Sequence, residues 1–158
     1  MARFGLATIF ENHPVGHEFR IDNLPMHLTH VDSFEVELGA DELAAKLSEL
    51  LVGQKAFNLK ALADELYGPE KNIPVTTLEL TPELFKFHRA IIGLLDSERA
   101  ILKNPQFNGD NFTPHISVYG SKRISIGEYV TIKDISIAAK VSEAEDANRK
   151  VLANITFT

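Results

Sequence analysis

Apolar and polar positions along this chain fall into short apolar runs broken by two segments of helical spacing. Residues 2–10 are apolar-rich and short enough for a strand, and Glu11-Asn12-His13-Pro14-Val15-Gly16 reads as the loop after it. A short strand is expected at 19–22 and a longer one at 28–38. Residues 41–52 are helical by spacing, with Leu43, Leu47, Leu50 and Leu51 on one stripe and Gly53 just past the end as a stop signal. Residues 56–66 fit two readings: Leu59, Leu62, Ala63 and Leu66 can form a helical stripe, and the same stretch can be a strand. Gly68-Pro69-Glu70-Lys71-Asn72 has turn chemistry, and 75–80 alternates as a half-buried strand should. Thr81 then reads as an N-cap with Pro82 at the first helical position and Glu83 in the first turn, starting a helix that runs to Asp96. Its apolar stripe is Leu84, His88, Ile91, Ile92 and Leu95.

A polar loop at 104–111 precedes a strand at 112–119, and Gly120-Ser121-Lys122 turns the chain. Residues 129–141 are β-rich with an apolar phase change near Asp134-Ile135, which predicts a bulge. A hairpin connection through Glu143-Ala144-Glu145-Asp146 leads to a last strand in which Val151, Ala153, Ile155 and Phe157 alternate with other residues. Each half offers strands and one helix, so the pattern predicts a β-rich α+β domain spanning 1–158 in two similar lobes with no flexible linker.

Composition narrows this picture. With 158 residues, 44% hydrophobic and 24% charged, the chain is long enough for one well-buried domain and has no compositional sign of disorder. The apolar run at 2–10 is too short to span a bilayer and lacks the features of a signal peptide, so a cytoplasmic location and no membrane partner are expected. The absence of cysteine excludes disulfides, thiolate metal sites and a cysteine nucleophile. A net charge of −6 counts against holding long RNA on a broad basic surface and suits a short or small substrate. Lys122-Arg123 is the local exception, and a solvated turn is the reading favoured over a phosphate contact. Asp41-Glu42 is expected as acidic surface.

Candidate chemistry rests on a phrase that occurs twice. His27-Leu28-Thr29 and His115-Ile116-Ser117 each place a histidine two positions before a hydroxyl residue. In a strand, side chains at i and i+2 share a face about 6.6–7 Å apart, so each histidine and its hydroxyl point into one site where a phosphate oxygen fits. Two imidazoles in opposite protonation states can give and take a proton in one reaction, which suggests metal-free phosphodiester chemistry.

The paired H-x-[ST] pattern resembles the signature of the 2H phosphoesterases, which include cyclic nucleotide phosphodiesterases and 2′-5′ RNA ligase-like proteins. Arg3-Phe4 opening an apolar strand, Pro25-Met26 before the first motif, Phe57-Asn58-Leu59 and the run from Leu78 to His88 extend the likeness in element order across roughly 2–157. The resemblance implies a bilobed fold of pseudo-symmetric antiparallel sheets with outer helices, one motif per lobe and a cleft between lobes. It also implies a strand at Phe57-Asn58-Leu59, which tips the ambiguous 56–66 stretch that way. The implied activity is hydrolysis of a 2′,3′-cyclic nucleotide or related cyclic phosphodiester, on a small nucleotide or an RNA end, without metal or cofactor. One of His27 and His115 would activate water and the other protonate the leaving oxygen, while Thr29 and Ser117 bind the non-bridging oxygens. Rival readings are 2′-5′ RNA ligation by the same residues and a non-catalytic nucleotide or phosphate-binding module. The chain is expected to act as a monomer.

The remaining candidates are weaker. Tyr119 shares the strand face of His115 and Ser117 and can line the cleft or simply pack. His30 alternates to the opposite face and is expected to be buried, at a position where the family carries an apolar residue. His13 and His17 have Pro14 and Gly16 between them, which argues against a helical zinc pair. His88 reads as a hydrogen-bonded core histidine, and Phe10 and Phe112 as core rather than base-stacking residues.

Overall fold

Ten strands and two α-helices alternate along a computed structural model that describes residues 1–157. The strands are β1 (Ala2–Ile9), β2 (Glu18–Phe19), β3 (His27–Val36), β4 (Phe57–Tyr67), β5 (Ile73–Leu78), β6 (Ile101–Leu102), β7 (His115–Ser117), β8 (Tyr129–Ile132), β9 (Asp134–Lys140) and β10 (Arg149–Thr156). Helix α1 (Ala40–Leu50) follows β3 and α2 (Pro82–Ser97) follows β5. All pairings are antiparallel, in the order β2-β10-β9-β1-β3-β7-β5-β4-β8, with β6 on the far end of β3. The α+β class and the division into two halves expected from the pattern are therefore present. The halves meet at the centre of the order, where β3 and β7 pair through Leu28 and Ile116.

The core lies on one face of this sheet. Leu28, Phe34 and Ile116 point into it from the central strands, and Leu43 and Leu47 of α1 and Leu51 just past its end, with Leu84, Phe87, Ile91 and Leu95 of α2, cover it. Leu50 of the predicted stripe is the exception: it lies only about 20° around the helix from Leu43, yet as the last residue of α1 it is exposed. Thr81 caps α2 as expected, its hydroxyl accepting from the Leu84 N–H at 3.1 Å. The 56–66 stretch is a strand: Phe57, Leu59 and Ala61 are buried at period two, while Leu62 and Leu66 of the rival helical stripe are exposed. Between Phe4 and Leu6 the β1–β3 register shifts, and a Cβ on Gly5 would stand 2.4 Å from the Asp32 carbonyl oxygen, so only glycine permits this approach.

Three expectations need correction. The phase change near Asp134 marks a break between two strands and not a bulge in one. β8 pairs with β4 at one end of the order, while β9 pairs with β1 and β10 near the other. One residue, Lys133, separates them, which holds Ile132 and Asp134 within about 7 Å, so the sheet curls until its distant strands adjoin. Second, the strand expected at 112–119 shrinks to His115–Ser117, with a lone bridge between Tyr119 and Lys122 beyond it. Third, the strand expected at 19–22 is Glu18–Phe19, and a 3-10 turn at Ile21–Asn23 replaces the rest.

Candidate functional site

The register that joins the two halves assembles the duplicated motif. Antiparallel pairing of Leu28 with Ile116 sets His27 across from Ser117 and Thr29 across from His115. Directly opposed residues share a face with Cβ atoms about 4.5–5.5 Å apart, so the four side chains form a two-by-two cluster with the histidines on its diagonal. That diagonal is about 7–8 Å at the backbone, room for one phosphorus between the rings. Leu28 and Ile116 between them are buried in the core, and all four motif residues are half-buried on the other face.

Both histidines are held in the same way. Nδ1–H of His27 donates to the Pro25 carbonyl at 2.8 Å, and Nδ1–H of His115 donates to the Thr113 carbonyl at 3.0 Å. A carbonyl can only accept, so each ring carries its proton on Nδ1 when neutral and keeps Nε2 as its free proton acceptor. Each ring also has a tyrosine neighbour. Tyr119 stacks beside His27 with centroids 6.3 Å apart, and Tyr67 sets its ring against His115 at 4.9 Å and 65°. Tyr119 thus stands beside His27, although it lies beyond the end of β7 and not on a continued strand face. Tyr67 was missed by sequence reasoning, because it lies just past the ambiguous 56–66 stretch and reaches His115 only through the pairing of β5 with β7.

Burial pushes the His27 pKa below its ordinary 6.5; the Pro25 carbonyl opposes this, a charge on His115 adds to it, and Glu11 again opposes it. Glu11 is a strut for the first motif. Its carboxylate accepts from the Met26 N–H at 2.6 Å and pairs with Lys122 at 3.3 Å, which ties the start of β3 to the turn after the second motif. Arg123 pairs with Asp64 at 2.6 Å, and Thr76 donates to the same carboxylate at 3.1 Å. Lys122 and Arg123 are therefore ion-paired braces rather than freely solvated turn cations. Burial raises the pKa of Tyr119 and, with Glu65, that of Tyr67, so both phenols stay protonated at neutral pH.

The other histidines stand apart from the cluster. His30 is fully buried behind β3 and contacts the Thr8 hydroxyl at 2.7 Å. His88 is buried, accepts from the Gly109 N–H at 2.9 Å and stacks on Phe112 at 3.9 Å, so Phe112 belongs to the core. His13 faces Asp134 at 3.4 Å. Among the described residues, no group of three or more His, Asp or Glu is arranged to hold a metal ion.

A groove of about 840 Å³ starts at His27 and Thr29 and runs over β1 and β9, away from β7. It does not include His115 or Ser117, so the free volume is lopsided toward the first motif. No helix among the described residues is long and apolar enough to cross a membrane.

No protein-family model matches this sequence, and no curated protein matches it significantly. Solved structures do. A structure described as a phosphoesterase aligns over 99% of this chain and 98% of its own, with TM-score 0.56 and 16% identity. Escherichia coli LigT complexed with 3′-AMP aligns over 99% and 98%, with TM-score 0.57 and 18% identity. A Thermus thermophilus protein aligns over 99% and 98%, with TM-score 0.60 and 13% identity. LigT has also been solved with NADP+, phosphate and ATP. The likeness to these structures is one of fold, and it runs the length of the chain.

Proposed function

We propose that this chain is a 2H phosphoesterase that opens a 2′,3′-cyclic nucleotide or a related cyclic phosphodiester by paired-histidine acid–base catalysis. The observation that carries the reading is the register that sets His27 against Ser117 and Thr29 against His115 on one open face, with both Nε2 atoms free. The fold shared with LigT, whose solved complexes include 3′-AMP, supports a nucleotide phosphate as the ligand.

In this mechanism His27 is the base. Its burial and the neighbouring His115 favour the neutral ring, whose Nε2 takes a proton from water as the water oxygen bonds to phosphorus. The bond from phosphorus to one ribose oxygen breaks, and His115 gives that oxygen its Nε2 proton, leaving a phosphate monoester. Thr29 and Ser117 donate to the non-bridging oxygens; one such donor is typically worth about 2.7–4 kcal/mol in the transition state. The two rings end with their protonation states exchanged and reset through solvent. Joining of RNA ends through a 2′-5′ linkage is the same ring opening on the same residues, with a ribose hydroxyl of the second end taking the place of water. The net charge of −6 offers little hold on a second RNA end, which favours water as the nucleophile and short substrates, and a cytoplasmic, monomeric enzyme fits that reading.

Two measurements test this. Turnover of 2′,3′-cyclic nucleotides survives EDTA, because every group in the mechanism is an imidazole or a hydroxyl; loss of turnover with EDTA and its return with a divalent ion overturns the mechanism. The pH profile of kcat/KM is bell-shaped, and its rising limb belongs to His27. A base must be neutral to act and the His27 pKa is lowered, so that limb lies on the acid side of 6.5. A rising limb centred above 6.5 contradicts the assignment of His27 as base.

A further inference from the structure

Acidic residues outnumber basic ones on this protein, yet two cations stand directly against each other in the groove that leaves the motif cluster. Lys140 of β9 and Arg149 of β10 are register partners, so their side chains share a face at cross-strand distance. Both are half-buried and both line the groove of about 840 Å³ that begins at His27 and Thr29. Like charges directly opposed on a sheet are destabilising unless something of opposite sign lies between them. Among the described residues no carboxylate comes within ion-pair distance of either, although Arg3 in the same groove is paired with Glu35. Arg149 does donate to the Ala147 carbonyl at 2.5 Å, which fixes the guanidinium without an ion pair, and Glu143 lines the same groove beyond ion-pair distance.

Resting on the phosphoesterase reading, we infer that Lys140 and Arg149 form an anion subsite for a second phosphate of the substrate, one carried on the far side of the nucleoside from the reacting cyclic phosphate. His27 and Thr29 line the same groove as Lys140 and Arg149, so the subsite and the reacting phosphate share one surface. An arginine fork and a lysine ammonium together suit phosphate oxygens. The ligand class is a nucleoside 2′,3′-cyclic phosphate extended at its 5′ position, either by a terminal phosphate or by the phosphodiester of a preceding nucleotide. A mononucleotide ending in a 5′-hydroxyl leaves the two cations facing each other unneutralised.

The test compares three substrates on the purified protein: a 2′,3′-cyclic nucleotide with a 5′-hydroxyl, the same with a 5′-phosphate, and a dinucleotide with a cyclic 3′ end. The wild type prefers at least one phosphate-bearing substrate by about tenfold in kcat/KM, as expected for a charge-assisted contact, and added salt erodes the preference. Preference for the 5′-phosphate assigns a small nucleotide, and preference for the dinucleotide assigns an RNA end. Arg149→Ala and Lys140→Ala each collapse the preference, and Lys140→Arg retains it. A wild type indifferent to the second phosphate, or variants that keep the preference, overturns the subsite while hydrolysis of the unextended substrate leaves the proposed function standing. If none of the three is turned over, the proposed function fails, and calorimetry decides the subsite separately. A nucleoside 3′,5′-bisphosphate then binds more tightly than the 3′-monophosphate to the wild type but not to Arg149→Ala; equal binding of the two to the wild type overturns it.

Discussion

Replacing His27 or His115 by alanine is expected to lower turnover of a 2′,3′-cyclic nucleotide by about 10²–10⁴-fold in each case, the range for loss of one positioned proton-transfer group. Neither ring is part of the core: both are half-buried on the open face of the sheet, opposite the side that Leu28 and Ile116 bury. The variants therefore keep the wild-type circular dichroism and melt within a few degrees of it. Two groups acting in one proton relay are not additive, so the double variant is expected to be no worse than the poorer single one. Thr29→Ala and Ser117→Ala are milder, since the other hydroxyl still faces the phosphate. Wild-type turnover in either single histidine variant, or a double variant far below both singles, removes the acid–base pair and leaves a binding module.

Acidification below pH 6.5 is expected to destabilise the fold through a histidine that takes no part in the chemistry. The Thr8 hydroxyl spends its proton on the Asp134 carbonyl at 2.8 Å, so it accepts from His30, whose Nε2 must carry the ring proton. Nδ1 of His30 is left as a buried atom with no hydrogen-bond partner, and burial together with His88 lowers the His30 pKa to about 3. In the unfolded chain that ring titrates near 6.5, so between those values the unfolded state binds a proton that the folded state refuses. Stability is then present above pH 6.5 and falls as pH drops toward 3, by on the order of 5 kcal/mol from this residue. His88, lowered to about 4, acts in the same direction. Urea titrations from pH 7 to pH 4 read the loss directly. In His30→Leu the slope with pH flattens; an unchanged slope in that variant shows that His30 is not its source.

Features set by neighbours along the chain are legible in the sequence. The Thr81 cap, the Pro82 start and the Leu43 and Leu47 stripe are decided by neighbours within one helical turn, and so are visible in sequence. The two H-x-[ST] segments are visible for the same reason, since strand alternation alone puts each histidine with its hydroxyl. The stretch at 56–66 could not be settled this way, because its apolar spacing fits two periods. Pairing of β4 with β5 and β8 selects the strand.

The sequence by itself determined the chemical types at the site, four side chains in two like pairs, and the α+β class that carries them. Only the tertiary structure decided that these pairs face each other, because the register of β3 on β7 depends on contacts between segments almost ninety residues apart. The break at Lys133 was hidden because a bulge and a strand end shift the apolar phase equally, and only pairing partners tell them apart. Tyr67 and the Lys140–Arg149 pair were hidden for a related reason. Their meaning comes from what stands across from them, and a sequence records neighbours along the chain, not across the sheet.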